Sequence, residues 1–136
     1  MFDHEKLDVY QLSLGFTTWA YELSKEFTGT DRHARDQLIR ASQSIPLNIA
    51  EGNGKRSIVD RKRFFQIARG SALECAAIID VVVRTKVIDS ESADNGKKLL
   101  KRIVAMLTKL TDIDGSIGEC VGSYTISDEA IQDRSD

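Results

Sequence analysis

The chain has 136 residues, of which 29% are charged and 41% hydrophobic, and its formal net charge at pH 7 is −2. This length and balance predict one globular domain that buries about two-thirds of the surface exposed by its unfolded chain. A single proline and the absence of a glycine-rich tract argue against a fibrous or disordered chain. No stretch approaches the roughly 18 apolar residues of a membrane span, and no basic segment followed by an apolar run opens the sequence. We therefore expect a cytoplasmic protein that makes no membrane contact.

The two cysteines, Cys75 and Cys120, are too few for a disulfide framework. Cys75 also stands inside an apolar helical pattern. We therefore expect two free thiols in a reducing compartment.

Apolar periodicity predicts an all-α protein with four helices, over about residues 3–27, 31–52, 58–85 and 90–117. Asp31 is a plausible N-cap of the second helix, and Ser57 with Asp60 forms a capping-box-like pair at the third. Short connections between long helices favour an antiparallel up-down-up-down four-helix bundle, over residues 1–118. Residues 119–136 hold five acidic residues against Arg134 alone, which is typical of a mobile acidic tail.

The first helix carries two apolar stripes, whereas the core of a four-helix bundle buries only one stripe of each helix. One stripe contains Leu7, Tyr10, Leu14 and Tyr21, and the other contains Val9, Phe16, Ala20, Leu23 and Phe27. Either both stripes form one broad core face with tyrosine hydroxyls at its rim, or one of them meets another subunit. An exposed aromatic stripe would promote aggregation, which favours the subunit interface.

The second helix has a core stripe, a polar stripe and a third, mostly apolar side. Pro46 stands in mid-helix, where it removes one backbone hydrogen bond, so we expect a kink near residues 42–46; the alternative is two separate helices. Together with the first stripe of helix one, the third side gives a candidate oligomer interface. The interface set is Leu7, Tyr10, Leu14, Tyr21, Ile39, Pro46, Leu47 and Ala50.

Positive charge is concentrated in the middle of the chain. Residues 32–69 hold nine basic and three acidic residues, and the rest of the sequence is correspondingly acidic. Such a cluster can neutralise phosphates, or it can simply be solvated or face acidic surfaces of neighbouring subunits. No aromatic base-stacking platform is apparent beside it. The candidate nucleic-acid-binding residues lie at the junction of helices two and three: Lys55, Arg56, Arg61, Lys62 and Arg63.

Four polar residues on the second and third helices form a candidate structural network: Arg40, Asn48, Glu51 and Arg69. Arginine–carboxylate pairing among them would fix how the two helices register. Gly70 stands in mid-helix, where glycine costs about 1 kcal/mol relative to alanine, so we expect it to allow close helix packing.

Three sequence motifs follow one another along the chain. They are Leu7-Asp8-Val9-Tyr10-Gln11, the stretch from Gln37 to Gly52 containing Ser44-Ile45-Pro46-Leu47-Asn48, and Phe64-Phe65-Gln66-Ile67-Ala68-Arg69-Gly70. In this order and spacing they resemble the 23S rRNA-intervening-sequence family of four-helix-bundle proteins. A related branch comprises the accessory proteins of diversity-generating retroelements, which are basic, barrel-like homopentamers that work with a reverse transcriptase and nucleic acid. The resemblance therefore implies a four-helix bundle, a pentamer and nucleic-acid contact.

The side-chain inventory does not support catalysis. His4 and His33 lack a helical histidine or carboxylate partner, and no Ser-His-Asp or Cys-His pairing is apparent. We expect neither a metal nor another cofactor. Two functions remain: an oligomeric interaction scaffold, with a protein as a further partner, and a nucleic-acid-binding accessory protein that uses the basic junction on RNA or DNA.

Overall fold

The computed structural model describes residues 1–112, which form four α-helices. These are α1 (Asp8–Ser24), α2 (Arg32–Asn53), α3 (Ile58–Arg84) and α4 (Ser90–Thr111). Short 3-10 turns at Asp3–Lys6 and Gly29–Asp31 precede α1 and α2. The predicted last turn of the fourth helix and the predicted acidic tail lie outside the described residues.

Each helix packs on two neighbours. α1 and α3 both contact α2 and α4, so α1 and α3 lie diagonally across the bundle. Arg69 contacts Thr108 while Asp80 contacts Lys97, which shows that α3 and α4 run antiparallel. Together with the short connections, this confirms the predicted all-α four-helix bundle.

The core is built from the stripes that the periodicity predicts. All five residues of the second α1 stripe are buried. The predicted core stripe of α2 contains Ala34, Leu38, Ala41, Ile45 and Ile49, and all of these are buried except Ala34, which is half-buried. The periodicity of the fourth helix predicts an apolar face that includes Leu99, Ile103, Met106, Leu107 and Leu110. Ile103 and Leu107 are fully buried and the other three are half-buried, while Leu100, outside this predicted face, is also buried. Burying an aliphatic or phenylalanine side chain stabilises the fold by about 1.5–3 kcal/mol, so these stripes hold the four helices together.

Two helix starts are fixed by side-chain caps. The Ser57 hydroxyl accepts a hydrogen bond from the Asp60 N–H at 3.3 Å, as the capping-box pattern predicts. Asp89 is the N-cap of α4, and its carboxylate accepts a hydrogen bond from the Ser92 N–H at 2.7 Å. This hydrogen bond lowers the pKa of the Asp89 carboxyl. Asp31 is the N-cap residue of α2, as predicted, although its side chain makes no capping hydrogen bond.

The first helix is shorter than the periodicity predicts. Leu7 adopts an extended conformation that separates the 3-10 turn from α1, and α1 ends at Ser24. Phe27 nevertheless remains buried, because the chain beyond the helix folds its ring into the core. The apolar periodicity reflects which residues are buried, and it continues to Phe27 although the helix ends at Ser24.

Pro46 lies inside a continuous helix. α2 runs unbroken from Arg32 to Asn53, so the alternative of two separate helices is wrong. Proline cannot donate to the carbonyl four residues earlier, which belongs to Ser42. The Thr17 hydroxyl of α1 lies 3.1 Å from this carbonyl oxygen and 3.0 Å from the Ser13 carbonyl oxygen of its own helix, so its single hydrogen is shared between the two acceptors.

Two mid-helix glycines have different surroundings. A Cβ at Gly70 would meet nothing within 4 Å and the residue is exposed, so the predicted close packing at Gly70 is wrong. Gly96 does allow close approach, because a Cβ there would lie 2.7 Å from Trp19 Cζ2 and nearer still to other ring atoms. The sequence pattern placed a glycine contact on α3, whereas the structure forms it between α1 and α4.

Candidate functional site

The basic junction lies where α2 ends and α3 begins. Glycine at position 52 allows the two helices to approach, since a Cβ there would lie 3.0 Å from the Phe64 Cβ and from the Phe65 ring. Arg56 and Arg63 are exposed, whereas the remaining three cations are half-buried. The junction therefore presents a compact positive surface at one end of the bundle.

Local contacts hold several of these cations in place. Lys55 Nζ lies 3.3 Å from Glu51 Oε2, one helical turn earlier. The Arg61 guanidinium donates to the backbone and side-chain oxygens of Asn53, both at 3.5 Å. Part of the positive charge is thus engaged within the subunit, while Arg56 is exposed to solvent.

An aromatic ring stands at the junction, contrary to the sequence expectation. Lys55 Nζ lies 5.2 Å from the centroid of the Phe64 ring, and the Arg63 guanidinium carbon lies 4.7 Å from it. Both distances are within the range of cation–π attraction. Phe64 is half-buried, whereas its neighbour Phe65 is buried in the core. The Phe-Phe pair was visible in the sequence, but only the fold shows which ring joins the cations.

The four predicted polar residues do not form one network. Glu51 is exposed and pairs with Lys55 rather than with an arginine, and Arg40 is also exposed. Asn48 donates to the carbonyl and hydroxyl oxygens of Ser44, one turn earlier on its own helix. The Arg69 Nε donates to the Thr108 hydroxyl at 2.8 Å and so links α3 to α4. The expectation of a buried arginine–carboxylate pair at position 51 is wrong.

Serine hydroxyls make the polar link between α2 and α3. The Ser71 hydroxyl donates to the Ser44 hydroxyl at 2.8 Å, and both serines are half-buried. The polar stripe predicted on the second helix contains Arg40, Ser44, Asn48, Glu51 and Lys55. Sequence reasoning did not single out Ser71. An i,i+4 pattern within one helix could not reveal a partner on the next helix.

The candidate oligomer interface is only partly exposed. Leu47 is 66% exposed, and Leu14 and Tyr21 are 38% and 40% exposed. The Tyr21 hydroxyl and the Gln43 side-chain amide are hydrogen-bonded, which joins α1 to α2 beside this surface. Pro46 is buried within the subunit, so it does not belong to the exposed surface. The other four residues are half-buried: Leu7, Tyr10, Ile39 and Ala50.

Several exposed apolar side chains lie along α3, and sequence reasoning missed them. Val59 is 76% exposed and Val81 58%, and further apolar side chains lie exposed on the same helix. The complete set is Ile58, Val59, Ile67, Leu73 and Val81. The available signal was that α3 carries apolar residues around much of its circumference, beyond what one core face requires.

We also considered metal sites, the surroundings of His4 and membrane-spanning helices in the part of the chain that the structure describes. No group of three or more His, Cys, Asp or Glu residues in 1–112 could hold a metal ion. His4 stacks on Phe2 and packs edge-on against Tyr10, with ring centroids 5.8 and 4.7 Å apart. No helix within the same range is long and apolar enough to cross a membrane.

Comparison with known proteins agrees with this architecture. The family model described as 23S rRNA-intervening sequence protein matches residues 5–109. The chain belongs to the 23S rRNA-intervening sequence protein family. The matched range takes in all three motifs and nearly all of the bundle. No curated protein matches this family member.

A solved structure shares the fold of this 23S rRNA-intervening sequence protein. It is a protein of unknown function from the S23 ribosomal protein family of Bacteroides thetaiotaomicron VPI-5482, with a TM-score of 0.71 and 24% sequence identity. The alignment covers 76% of this chain and 97% of that chain. At this level of identity the likeness establishes the bundle architecture alone.

Proposed function

We propose that this protein is a non-enzymatic, cytoplasmic interaction scaffold that assembles as a homo-oligomer, with a pentamer favoured. The observation that carries the proposal is the exposed apolar surface formed by Leu14, Tyr21 and Leu47. Single exposed apolar side chains are ordinary, but a cluster that combines an aromatic ring with two leucines marks an interaction surface. The pentamer is taken from the resemblance to the retroelement accessory proteins.

Exposed apolar side chains on two sides of the subunit support a ring rather than a simple two-fold dimer. Leu14, Tyr21 and Leu47 lie on α1 and α2, while Val59 and Val81 lie on α3, diagonally across from α1. Cyclic assemblies with more than two subunits bury two different surfaces of each subunit. An isologous dimer on either side would leave the other exposed.

Light scattering on size-separated protein tests the scaffold proposal. Leu47→Glu places a charge at the centre of the α1–α2 surface and is expected to reduce the measured mass to that of the 15.2 kDa subunit. Ala105→Glu is the matched control, because it adds the same carboxylate at an exposed position of α4 outside both sets of exposed apolar side chains. If both variants keep the wild-type mass, the α1–α2 surface is not the interface.

A second candidate function is nucleic-acid binding at the basic junction. It is favoured by the charge of the bundle itself: residues 1–112 contain 18 of the 19 basic residues and 15 of the 21 acidic ones, a net charge of +3. The acidity of the whole chain thus resides in residues 113–136. Cation contacts with the phosphate backbone carry no base information, so binding would be insensitive to sequence and weaken steeply as salt rises.

A salt titration with mixed RNA and DNA oligonucleotides tests this second function. The variant in which Lys55, Arg56, Arg61, Lys62 and Arg63 are all serine is expected to lose affinity. In the control variant, serine replaces five exposed or half-buried cations elsewhere on the bundle: Lys6, Lys25, Arg32, Arg35 and Arg84. Equal affinity of wild type and junction variant would remove this site. No wild-type binding at low salt would remove the function.

A further inference from the structure

The N-terminal 3-10 turn packs beside the basic junction. This turn, Asp3–Lys6, contacts both α1 and α2. Asn53, the last residue of α2, donates from its side-chain amide to the Asp3 carboxylate, with Nδ2 and Oδ2 3.0 Å apart. The turn therefore brings a carboxylate from the start of the chain to the end of α2, where the junction begins.

The contacts that attach the turn to the bundle are exposed ones. The Phe2 ring stacks on His4 yet is 72% exposed, and no residue of the turn is buried. The Gln11 side-chain amide donates to the Glu5 carbonyl oxygen at 3.0 Å, in an exposed hydrogen bond like that of Asp3. Local opening costs little where few apolar contacts are buried. The turn is thus able to separate from α2 while the bundle stays folded.

Asn53 connects the turn to a cation of the junction. The Arg61 guanidinium donates to the side-chain and backbone oxygens of Asn53, both at 3.5 Å. A carboxamide has one oxygen and one NH2 group, so an amide whose NH2 group faces Asp3 turns its oxygen to Arg61. Both Arg61 distances are at the long end of the hydrogen-bond range, and a phosphate is a stronger acceptor for a guanidinium than an amide. Arg61 is therefore held, but held weakly enough to be released to an anion.

Opposite charge also draws the turn to the junction. Residues 51–63 contain five cations and two carboxylates, a net charge of +3. Residues 3–6 contain two carboxylates and one lysine, a net charge of −1 with neutral histidine. The carboxylates of the two segments are those of Asp3, Glu5, Glu51 and Asp60. Glu51 and Asp60 belong to the junction helices themselves, whereas Asp3 reaches the junction from a separate segment that can leave it.

We propose that the N-terminal turn is an autoinhibitory contact of the basic junction. When the turn is docked, Asp3 orients the Asn53 amide, the amide holds Arg61, and the Asp3 carboxylate opposes an incoming phosphate. When the turn separates from α2, Arg61 is released to bind the anion. Asp3 is a positioning residue in this scheme, and the inference rests on the proposed nucleic-acid binding at the junction.

NMR of the full chain labelled with nitrogen-15 tests the link without any ligand. Asp3→Ala is expected to speed solvent exchange of the Asn53 side-chain amide and to shift the Arg61 Nε–H signal. Asp8→Ala is the matched control, because it removes an exposed carboxylate from the first residue of α1 and leaves the hydrogen bond of Asp3 intact. Unchanged Asn53 and Arg61 signals in Asp3→Ala overturn the proposal.

Fluorescence anisotropy with a labelled single-stranded DNA of mixed sequence at low salt measures the inhibition. Asp3→Ala is expected to bind about fivefold more tightly than Asp8→Ala, the change that one ordinary hydrogen bond makes in an equilibrium constant. Both variants lose a carboxylate, but Asp3→Ala also breaks the link to Arg61. Asp3→Asn keeps an oxygen acceptor for Asn53 and is expected to match Asp8→Ala. Equal affinities of Asp3→Ala and Asp8→Ala overturn the proposal.

An Arg61→Ala background identifies the cation that the turn holds. Without the guanidinium, Asp3→Ala and Asp8→Ala are expected to bind the same DNA equally well. A surviving advantage of Asp3→Ala would show that the turn does not act through Arg61 and would also overturn the proposal. Circular dichroism confirms that each variant folds.

Failure of the autoinhibitory contact is distinguishable from failure of nucleic-acid binding. DNA binding by wild type, combined with unchanged Asn53 and Arg61 signals in Asp3→Ala, removes the autoinhibitory contact and leaves the nucleic-acid function standing. No binding by wild type or by any of the variants at low salt removes the nucleic-acid function, and the autoinhibitory role with it.

Discussion

The Thr17 hydroxyl donates to the Ser42 backbone carbonyl, which is the carbonyl that Pro46 leaves without its helical partner. A proline in mid-helix costs about 3 kcal/mol or more, partly through this lost bond. The adjacent helix replaces part of it, because the single Thr17 hydroxyl hydrogen is shared between the Ser42 carbonyl of α2 and the Ser13 carbonyl of α1. The proline of the family motif and a threonine on another helix thus form one structural unit.

Thr17→Val is expected to destabilise the fold by about 1 kcal/mol, since valine keeps the shape of threonine and removes the donor. In a Pro46→Ala background the same substitution is expected to cost less, because alanine restores a backbone donor to the Ser42 carbonyl. Denaturant unfolding of the four proteins gives the coupling free energy. Equal costs of Thr17→Val in the two backgrounds would show that the hydroxyl does not compensate for the proline.

Gly96→Ala and Gly70→Ala are expected to change stability in opposite directions. At position 96 the added methyl group overlaps the Trp19 ring, and overpacking of this kind costs about 1–3 kcal/mol. At position 70 the methyl group meets open space, and alanine in an exposed helix stabilises by about 0.5–1 kcal/mol. Thermal unfolding of the two variants checks this. A rise in melting temperature for Gly96→Ala would show that Trp19 moves aside freely.

Glu51→Ala is expected to change the free energy of unfolding by less than about 0.5 kcal/mol. The Glu51 side chain is 55% exposed and its partner is Lys55 at i,i+4, a type of surface pair that contributes little. Ser71→Ala is the comparison, with an expected cost of about 1 kcal/mol, because it removes the hydrogen bond to Ser44 between helices. A larger loss of stability for Glu51→Ala than for Ser71→Ala in denaturant unfolding would instead support the arginine–carboxylate pairing of Glu51 that the sequence suggested.

Cys75 makes stability depend on alkaline pH. Burial, and secondarily the charge of Glu74, raises the pKa of its thiol from 9.0 to about 12 in the folded chain. The unfolded state therefore releases this proton first. The contribution of the protonated, buried Cys75 thiol to the free energy of unfolding is fully present below pH 9. It is lost as pH rises towards 12, at up to about 1.4 kcal/mol per pH unit.

Chemical unfolding of wild type and Cys75→Ala between pH 8 and pH 11 measures this term. The stability of wild type relative to the variant is expected to fall as pH increases above 9. The comparison removes the contributions of lysine and tyrosine, which both proteins share. A constant difference over this range would show that the thiol ionises equally in both states.

The helices were predictable because their buried residues recur at helical spacing along the sequence. The stripe from Val9 to Phe27 and the stripe from Leu38 to Ile49 identify their helices and their buried faces. The Ser57–Asp60 cap was predictable for a related reason, since both partners are three residues apart in one segment. Local spacing is sufficient for features of this kind.

Contacts between helices were not predictable in the same way. The partner of Ser44 is Ser71, on another helix, and that of Gly96 is Trp19, far away in the sequence. Phe64 and Phe65 are adjacent and chemically identical, yet one faces the basic junction and the other the core. Helix rotation and register decide these roles, and one sequence without its fold does not specify them.

Sedimentation equilibrium of the full wild-type chain at micromolar concentration tests the oligomeric scaffold most directly. The measurement gives mass without reference to shape, and so it separates an assembly from an elongated monomer. The account predicts a single species of about 76 kDa, five times the 15.2 kDa subunit. A mass of 15.2 kDa at every concentration measured would contradict it.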